Sequence, residues 1–124
     1  MHYIHLKISG VPYPQKKVRG NVKGMELWTN VIIEQTAKYQ KIKAACILNV
    51  TFLLPPNKFP SDCPYGPDLD NLLKRFLDAL NRTIFSSADG KDSCVISMTV
   101  KKTKVSSEKD AGAILEILPV SLEK

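Results

Sequence analysis

The sequence predicts a single α+β domain in which one mixed β-sheet of about four strands is packed by two main helices. Its 124 residues suffice for one domain with a core but not for two. Apolar residues recur at helical spacing in some stretches and alternate with polar residues in others, and the two kinds of stretch are mixed along the chain. We therefore expect one domain over residues 1–124, with a loose tail at 120–124.

The first half of the chain predicts two strands and one helix. Residues 3–9 alternate, with Ile4, Leu6 and Ile8 on one side, as in a half-buried strand. Prolines and glycines make residues 10–24 a loop. A helix is expected from Met25 to about Gln40, and its buried face would hold Leu27, Trp28, Val31, Ile32 and Tyr39. The nearly continuous apolar run 45–54 predicts a central strand, or one buried on both faces.

The second half begins with the clearest helix signal. After the turn residues 65–67, one helical face is apolar, formed by Leu69, Leu72, Leu73, Phe76, Leu77 and Leu80. A polar connection over 81–91 contains the turn signal Asp89-Gly90. A strand follows, with Cys94, Ile96, Met98 and Val100 on one face. Residues 101–112 are expected to be a charged hairpin connection, and 113–118 the last strand.

The distribution of charge indicates a nucleic-acid partner. Residues 1–61 contain nine Lys and Arg against two Glu, whereas residues 62–124 contain nine basic and ten acidic residues. Four cations and no acid lie in the loop 10–24, namely Lys16, Lys17, Arg19 and Lys23. A cationic loop with glycines can approach a phosphate backbone closely. A merely solvated loop is the alternative.

Several classes of protein are not expected. No apolar run approaches the ~18 residues that a membrane helix needs, and the N-terminal stretch does not have the pattern of a signal peptide. Cys46, Cys63 and Cys94 match neither a zinc pattern nor a disulfide framework. A cytoplasmic location is expected.

Two carboxylates stand at the start of the second helix, Asp68 and Asp70, and Lys74 follows one turn later. This arrangement suits a divalent metal site with a phosphate-facing cation. The alternative is an N-cap, a helix-dipole contact and an ordinary exposed ion pair. Asp92 directly precedes a strand, where it could aim a ligand at a site or be only a turn residue.

The chain resembles the RusA family of Holliday junction resolvases over about residues 4–118. The resemblance is carried by Asp68-Leu69-Asp70-Asn71-Leu72-Leu73-Lys74, by Asp78-Ala79-Leu80, and by Asp92-Ser93 with Val95 before a strand. The early segment 8–14, followed by Lys16, Lys17 and Arg19, is similar to the glycine-proline-basic loop of many family members.

The resemblance implies a small, dimeric endonuclease, often borne by a prophage, that cuts four-way DNA junctions by paired symmetric incisions. It implies Mg²⁺ as the cofactor, with Mn²⁺ as a possible substitute. By motif position, Asp68, Asp70 and Asp92 would be catalytic metal ligands and Lys74 the accompanying functional lysine. The expected DNA-binding residues are Lys16, Lys17, Arg19, Lys23 and Arg75.

The sequence also departs from the family pattern. Lys91 stands where members often have an acid, Cys94 where a glutamine is common, and residues 62–67 hold no cation. Asp89 is the alternative to Asp92 as third ligand. Two other functions stay open at this point: a non-catalytic module that binds DNA junctions, and a nuclease that acts on other branched DNA.

Overall fold

The computed structural model describes residues 4–14, 22–56 and 65–120. Its strands are β1 (Ile4–Ser9), β2 (Cys46–Leu54), β3 (Val95–Lys104) and β4 (Gly112–Pro119). Its helices are α1 (Val22–Thr36) and α2 (Leu69–Leu80). Short 3-10 turns at Lys91–Cys94 and Glu108–Asp110 precede β3 and β4. The predicted α+β domain with four strands and two helices is confirmed.

The four strands form one mixed sheet in the order β1-β4-β2-β3. β2 and β3 are parallel, whereas β4 lies between β1 and β2 and is antiparallel to both. The predicted central position of β2 is therefore confirmed. The predicted hairpin over 101–112 is wrong, because β3 continues to Lys104 and does not pair with β4.

The core lies on one face of the sheet, beneath both helices. In β2, Leu48, Val50, Phe52 and Leu54 are buried, whereas the residues between them are mostly half-buried. α2 contributes Leu72, Phe76, Ala79 and Leu80 to this core. The rings of Phe52 and Phe76 meet edge to face, with centroids 5.5 Å apart. The apolar stripe predicted for α2 thus faces the sheet.

Helix α1 differs from its prediction in its ends and in one core residue. It begins at Val22 and ends at Thr36, rather than spanning Met25 to Gln40. Trp28 and Ile32 are buried as expected, but Leu27 is 65% exposed and Met25 is buried in its place. Gly10 permits the close packing of Trp28, since a Cβ at Gly10 would lie 3.0 Å from the indole ring.

The segment that joins α2 to β3 buries more apolar side chains than its sequence predicts. Ile84 and Phe85 are fully buried, although the connection 81–91 was predicted to be polar. At the start of β3, Cys46 pairs with Val95 and Ile47 with Ser97, so Ile96 is the extra residue of a bulge. The bulge removes Ile96 from the alternation, and 56% of this residue is exposed.

Some predictions fall outside the described part of the chain. Residues 15–21, which contain most of the predicted basic loop, lie outside it. Most of the predicted loose tail, from 121 onward, also lies outside it. Within the described ranges, neither helix has the length and apolarity required to cross a membrane.

Candidate active site

The N-terminal end of α2 presents two exposed carboxylates. Asp68 occupies the N-cap position with an extended backbone (φ −64°, ψ 143°), yet its side chain makes no capping hydrogen bond. One oxygen of Asp70, Oδ1, accepts the backbone N–H of Asn71 at 3.0 Å. An N-cap Asp ordinarily accepts a backbone N–H of the first turn. The Asp68 carboxylate is therefore not used for capping and is available to a ligand.

The two cations that follow in α2 have different surroundings. Lys74 is exposed, one helical turn beyond Asp70, as expected. Arg75 is half-buried, and its Nε donates to the Pro14 carbonyl while Nη1 donates to Thr29 Oγ1, each at 2.9 Å. Arg75 thus ties α2 to α1 and to the segment after β1. Its expected contact with DNA remains a prediction.

Asp92 lies in the 3-10 turn before β3. The two residues that directly precede it in the chain have backbones in the left-handed region. Gly90 has φ +72° and Lys91 has φ +55°, the latter uncommon for a residue with a Cβ. Asp92 is half-buried, and its Oδ2 accepts a hydrogen bond of 2.9 Å from Nδ2 of Asn81. Asn81 is the C-cap of α2. Asp92 is therefore hydrogen-bonded to the C-terminal end of α2, whereas Asp68 lies at its N-terminal end.

One chain does not bring the three predicted metal ligands together. At about 1.5 Å per residue, Asp68 and Asn81 lie about 20 Å apart along α2. β3 gives a second estimate of the distance between the two ends of the site. Its residue Lys102 contacts Pro67, which is next to Asp68. Val95, at the start of the same strand, is about 23 Å from Lys102 at about 3.3 Å per residue. Oxygens that bind one Mg²⁺ lie within about 4 Å of each other. Within one chain, Asp92 therefore does not lie beside Asp68 and Asp70, and its role as a metal ligand stays a prediction.

Two thiols lie beside the Asp92 turn. Cys46 is buried at the start of β2, and its thiol lies beside that of Cys94. Burial and, to a smaller extent, the adjacent Cys94 raise the pKa of the Cys46 thiol to about 12. Both cysteines are free thiols. Cys94 therefore packs against the start of β2.

The predicted DNA-binding cations are only partly described. Lys16, Lys17 and Arg19 lie outside the described residues. Lys23 is exposed in the first turn of α1. Asp89, the alternative third ligand, is exposed in the turn before Lys91, and its carbonyl accepts a hydrogen bond from Ser93 Oγ at 3.3 Å.

Comparison with protein families gives a match over nearly the whole chain. The model described as endodeoxyribonuclease RusA matches residues 10–117, which include both ends of α2 and the Asp92 turn. The chain belongs to the RusA endodeoxyribonuclease family. No curated protein sequence matches it. The family implies a Holliday junction resolvase, an endonuclease that acts on branched DNA in recombination.

Resolvases of this kind usually use divalent metals. Within residues 4–14, 22–56 and 65–120, no three His, Cys, Asp or Glu side chains group closely enough to hold an ion. Mg²⁺ commonly needs only one or two protein carboxylates, because it keeps several waters. The exposed carboxylates of Asp68 and Asp70 fit this requirement in donor chemistry, and the uncapped Asp68 is the observation that supports the fit.

Two residues that contact the candidate site, Asn81 and Lys102, were not predicted from the sequence. Asn81 holds Asp92, and Lys102 donates from Nζ to the Pro67 carbonyl at 2.7 Å, next to Asp68. Asn81 follows a helical stretch and resembles an ordinary C-terminal residue. Lys102 lies in a charged stretch that was interpreted as a connection. Neither contact has a local signal, since the partners are 11 and 35 residues apart.

Proposed function

We propose that this RusA-family chain is a metal-dependent endodeoxyribonuclease that resolves four-way DNA junctions by paired, symmetric hydrolysis of phosphodiester bonds. Mg²⁺ is the proposed cofactor and Mn²⁺ a substitute. The observation that supports the proposal most directly is the pair Asp68 and Asp70, exposed at one helix end with no capping bond from Asp68, within a family match to a nuclease.

Asp68 and Asp70 would hold the metal through carboxylate oxygens. When bound, such an ion neutralises charge on the scissile phosphate and favours activation of water. Lys74 projects from the same helix one turn later, where its ammonium would face a phosphate or the charge that develops during cleavage. The N-terminal end of α2 adds partial positive charge on the same side.

A homodimer is part of the proposal. A four-way junction has approximate twofold symmetry, and a C₂ dimer would present two equivalent sites to related strands. Within one chain, Asp68 and Asp92 lie at opposite ends of α2, about 20 Å apart. A second chain would therefore be needed to bring the predicted ligands together. Two α2 helices set antiparallel would bring the Asn81 end of one chain, with its Asp92, beside the Asp68 end of the other.

DNA binding is proposed to depend on the cations before and at the start of α1. Lys16, Lys17, Arg19 and Lys23 would contact phosphates, which position a nuclease without reading sequence. A cytoplasmic location is also proposed, and the free thiols of Cys46 and Cys94 suit that reducing compartment.

Cleavage of a synthetic four-way junction tests the proposal. The full chain is incubated with the junction, with a linear duplex and with a three-way or flap substrate, each in Mg²⁺, Mn²⁺ or EDTA. Paired symmetric nicks on the four-way junction, only with metal, are expected. Tight junction binding without nicks would instead identify a binding module, and equal cutting of all branched substrates a less selective nuclease.

A further inference from the structure

We propose that Lys102 is a positioning residue for the carboxylates at the N-terminal end of α2. The inference rests on the proposed function, since it concerns the same Asp68–Asp70 end. Lys102 lies on β3, is half-buried, and donates from Nζ to the Pro67 carbonyl at 2.7 Å. An ammonium-to-carbonyl bond of this length is charge-assisted and stronger than a neutral one.

The Pro67 carbonyl is the group that α2 itself leaves unpaired. The first hydrogen bond of the helix runs from Leu72 N to the Asp68 carbonyl, at 3.1 Å. The carbonyl of Pro67 therefore lies one residue outside the helical ladder. Lys102 supplies its partner from the sheet, and so connects the entry of α2 to the C-terminal part of β3.

A bond that holds this carbonyl also holds the plane of the peptide unit that leads into Asp68. The Pro67 carbonyl belongs to the peptide unit that joins Pro67 to Asp68, and the proline ring already fixes φ on its other side. Asp68 makes no capping bond of its own. The bond from Lys102 is thus a contact that orients the peptide leading into the two carboxylates.

A matched control exists on the same strand. Lys101 is exposed and lines the opposite face of the sheet, with Thr51, Thr99 and Ile114. Lys101→Met and Lys102→Met remove the same charge from adjacent positions. Loss of a nearby positive charge strengthens cation binding by electrostatics alone, whereas loss of positioning weakens it. The sign of the change therefore separates the two effects.

The experiment measures Mn²⁺ binding to the full chain without DNA, by electron paramagnetic resonance of the free ion. Lys102→Met is expected to weaken Mn²⁺ binding about 10-fold, as the loss of outer-shell partners typically does. Lys101→Met should bind at least as tightly as the wild type. Lys102→Arg, which keeps a cationic donor, should restore most of the affinity. Thermal unfolding verifies that each variant is folded.

Each other outcome has a definite meaning. Equal Mn²⁺ affinity for Lys102→Met and wild type would overturn the positioning role, even if the unfolding temperature falls. Equal weakening by Lys101→Met would also overturn it. If Lys102→Met does not fold, Lys102→Thr removes the same bond with a residue that strands accept. Failure of the wild type to bind Mn²⁺ would refute the proposed metal site, and the positioning role with it.

Discussion

The side-chain amide of Asn81 donates to Asp92 Oδ2 at 2.9 Å and thereby joins the end of α2 to the turn before β3. Because a carboxylate only accepts hydrogen bonds, the NH₂ group of the amide must face Asp92. The Oδ1 atom of Asn81 is buried and has no partner among the described residues. This bond therefore holds Asp92 through one of its two oxygens, Oδ2.

Replacing Asn81 by Ala should reduce junction cleavage at saturating DNA by about 10-fold or more, as loss of groups that orient ligands does. The chain should remain folded, because the bond is only partly buried and lies at the end of α2 rather than in the core. The measurement is the single-turnover cleavage rate in Mg²⁺. Unchanged cleavage would show that the orientation of Asp92 does not matter to the reaction.

Asn49→Ala is the matched control for this variant. Asn49 also donates from an amide to a carboxylate, Glu116 Oε1, at the same distance of 2.9 Å. This pair lies on the sheet face opposite the helices, away from both ends of α2. Its loss should leave the cleavage rate at the wild-type value.

Asp70→Asn should abolish cleavage of the four-way junction while junction binding stays intact. The substitution keeps the size of the side chain but removes the charge with which a carboxylate binds Mg²⁺. Cleavage and gel-shift assays in the same buffer measure the two properties. Asp78→Asn is the control, since Asp78 is exposed on the same helix but has no proposed contact with metal. Cutting by Asp70→Asn would refute the assignment of Asp70.

The helices and several of the strands could be predicted because their signals are local. The apolar spacing of Leu72, Phe76 and Leu80 in α2 and the alternation of Ile4 and Ile8 in β1 depend only on neighbours in the chain. Both elements were confirmed, with ends shifted by only a few residues. The burial of Trp28 followed from the same reasoning.

Strand order and the site geometry could not be predicted in this way. Which strands pair is decided by contacts between distant segments, so nothing in 101–112 shows that β4 inserts between β1 and β2. The same holds for Asp92, whose spacing from Asp70 does not reveal that α2 and β3 lie side by side. The motif correctly indicated the family, but it gave no information about the distance of about 20 Å between its acids.

Neutralising the basic loop should weaken junction binding and flatten its dependence on salt. With Lys16, Lys17 and Arg19 all changed to Gln, the slope of log affinity against log salt should fall by up to about 3, if each cation contacts one phosphate. Fluorescence anisotropy at several salt concentrations measures the slope. An equal change in net charge at the exposed residues Lys38, Lys43 and Lys109 is the control. A slope equal to that of the control would mean that the loop does not contact DNA.

Arg75→Met should lower the free energy of unfolding by about 2 kcal/mol, because it removes hydrogen bonds from a charged donor. The bonds concerned join Arg75 to the Pro14 carbonyl and to Thr29. Lys74→Met removes the same charge from the exposed neighbouring position, and its unfolding free energy should change by less than about 0.5 kcal/mol. Urea denaturation measures both. Equal stability of the two variants, with weaker junction binding by Arg75→Met alone, would instead assign Arg75 to DNA.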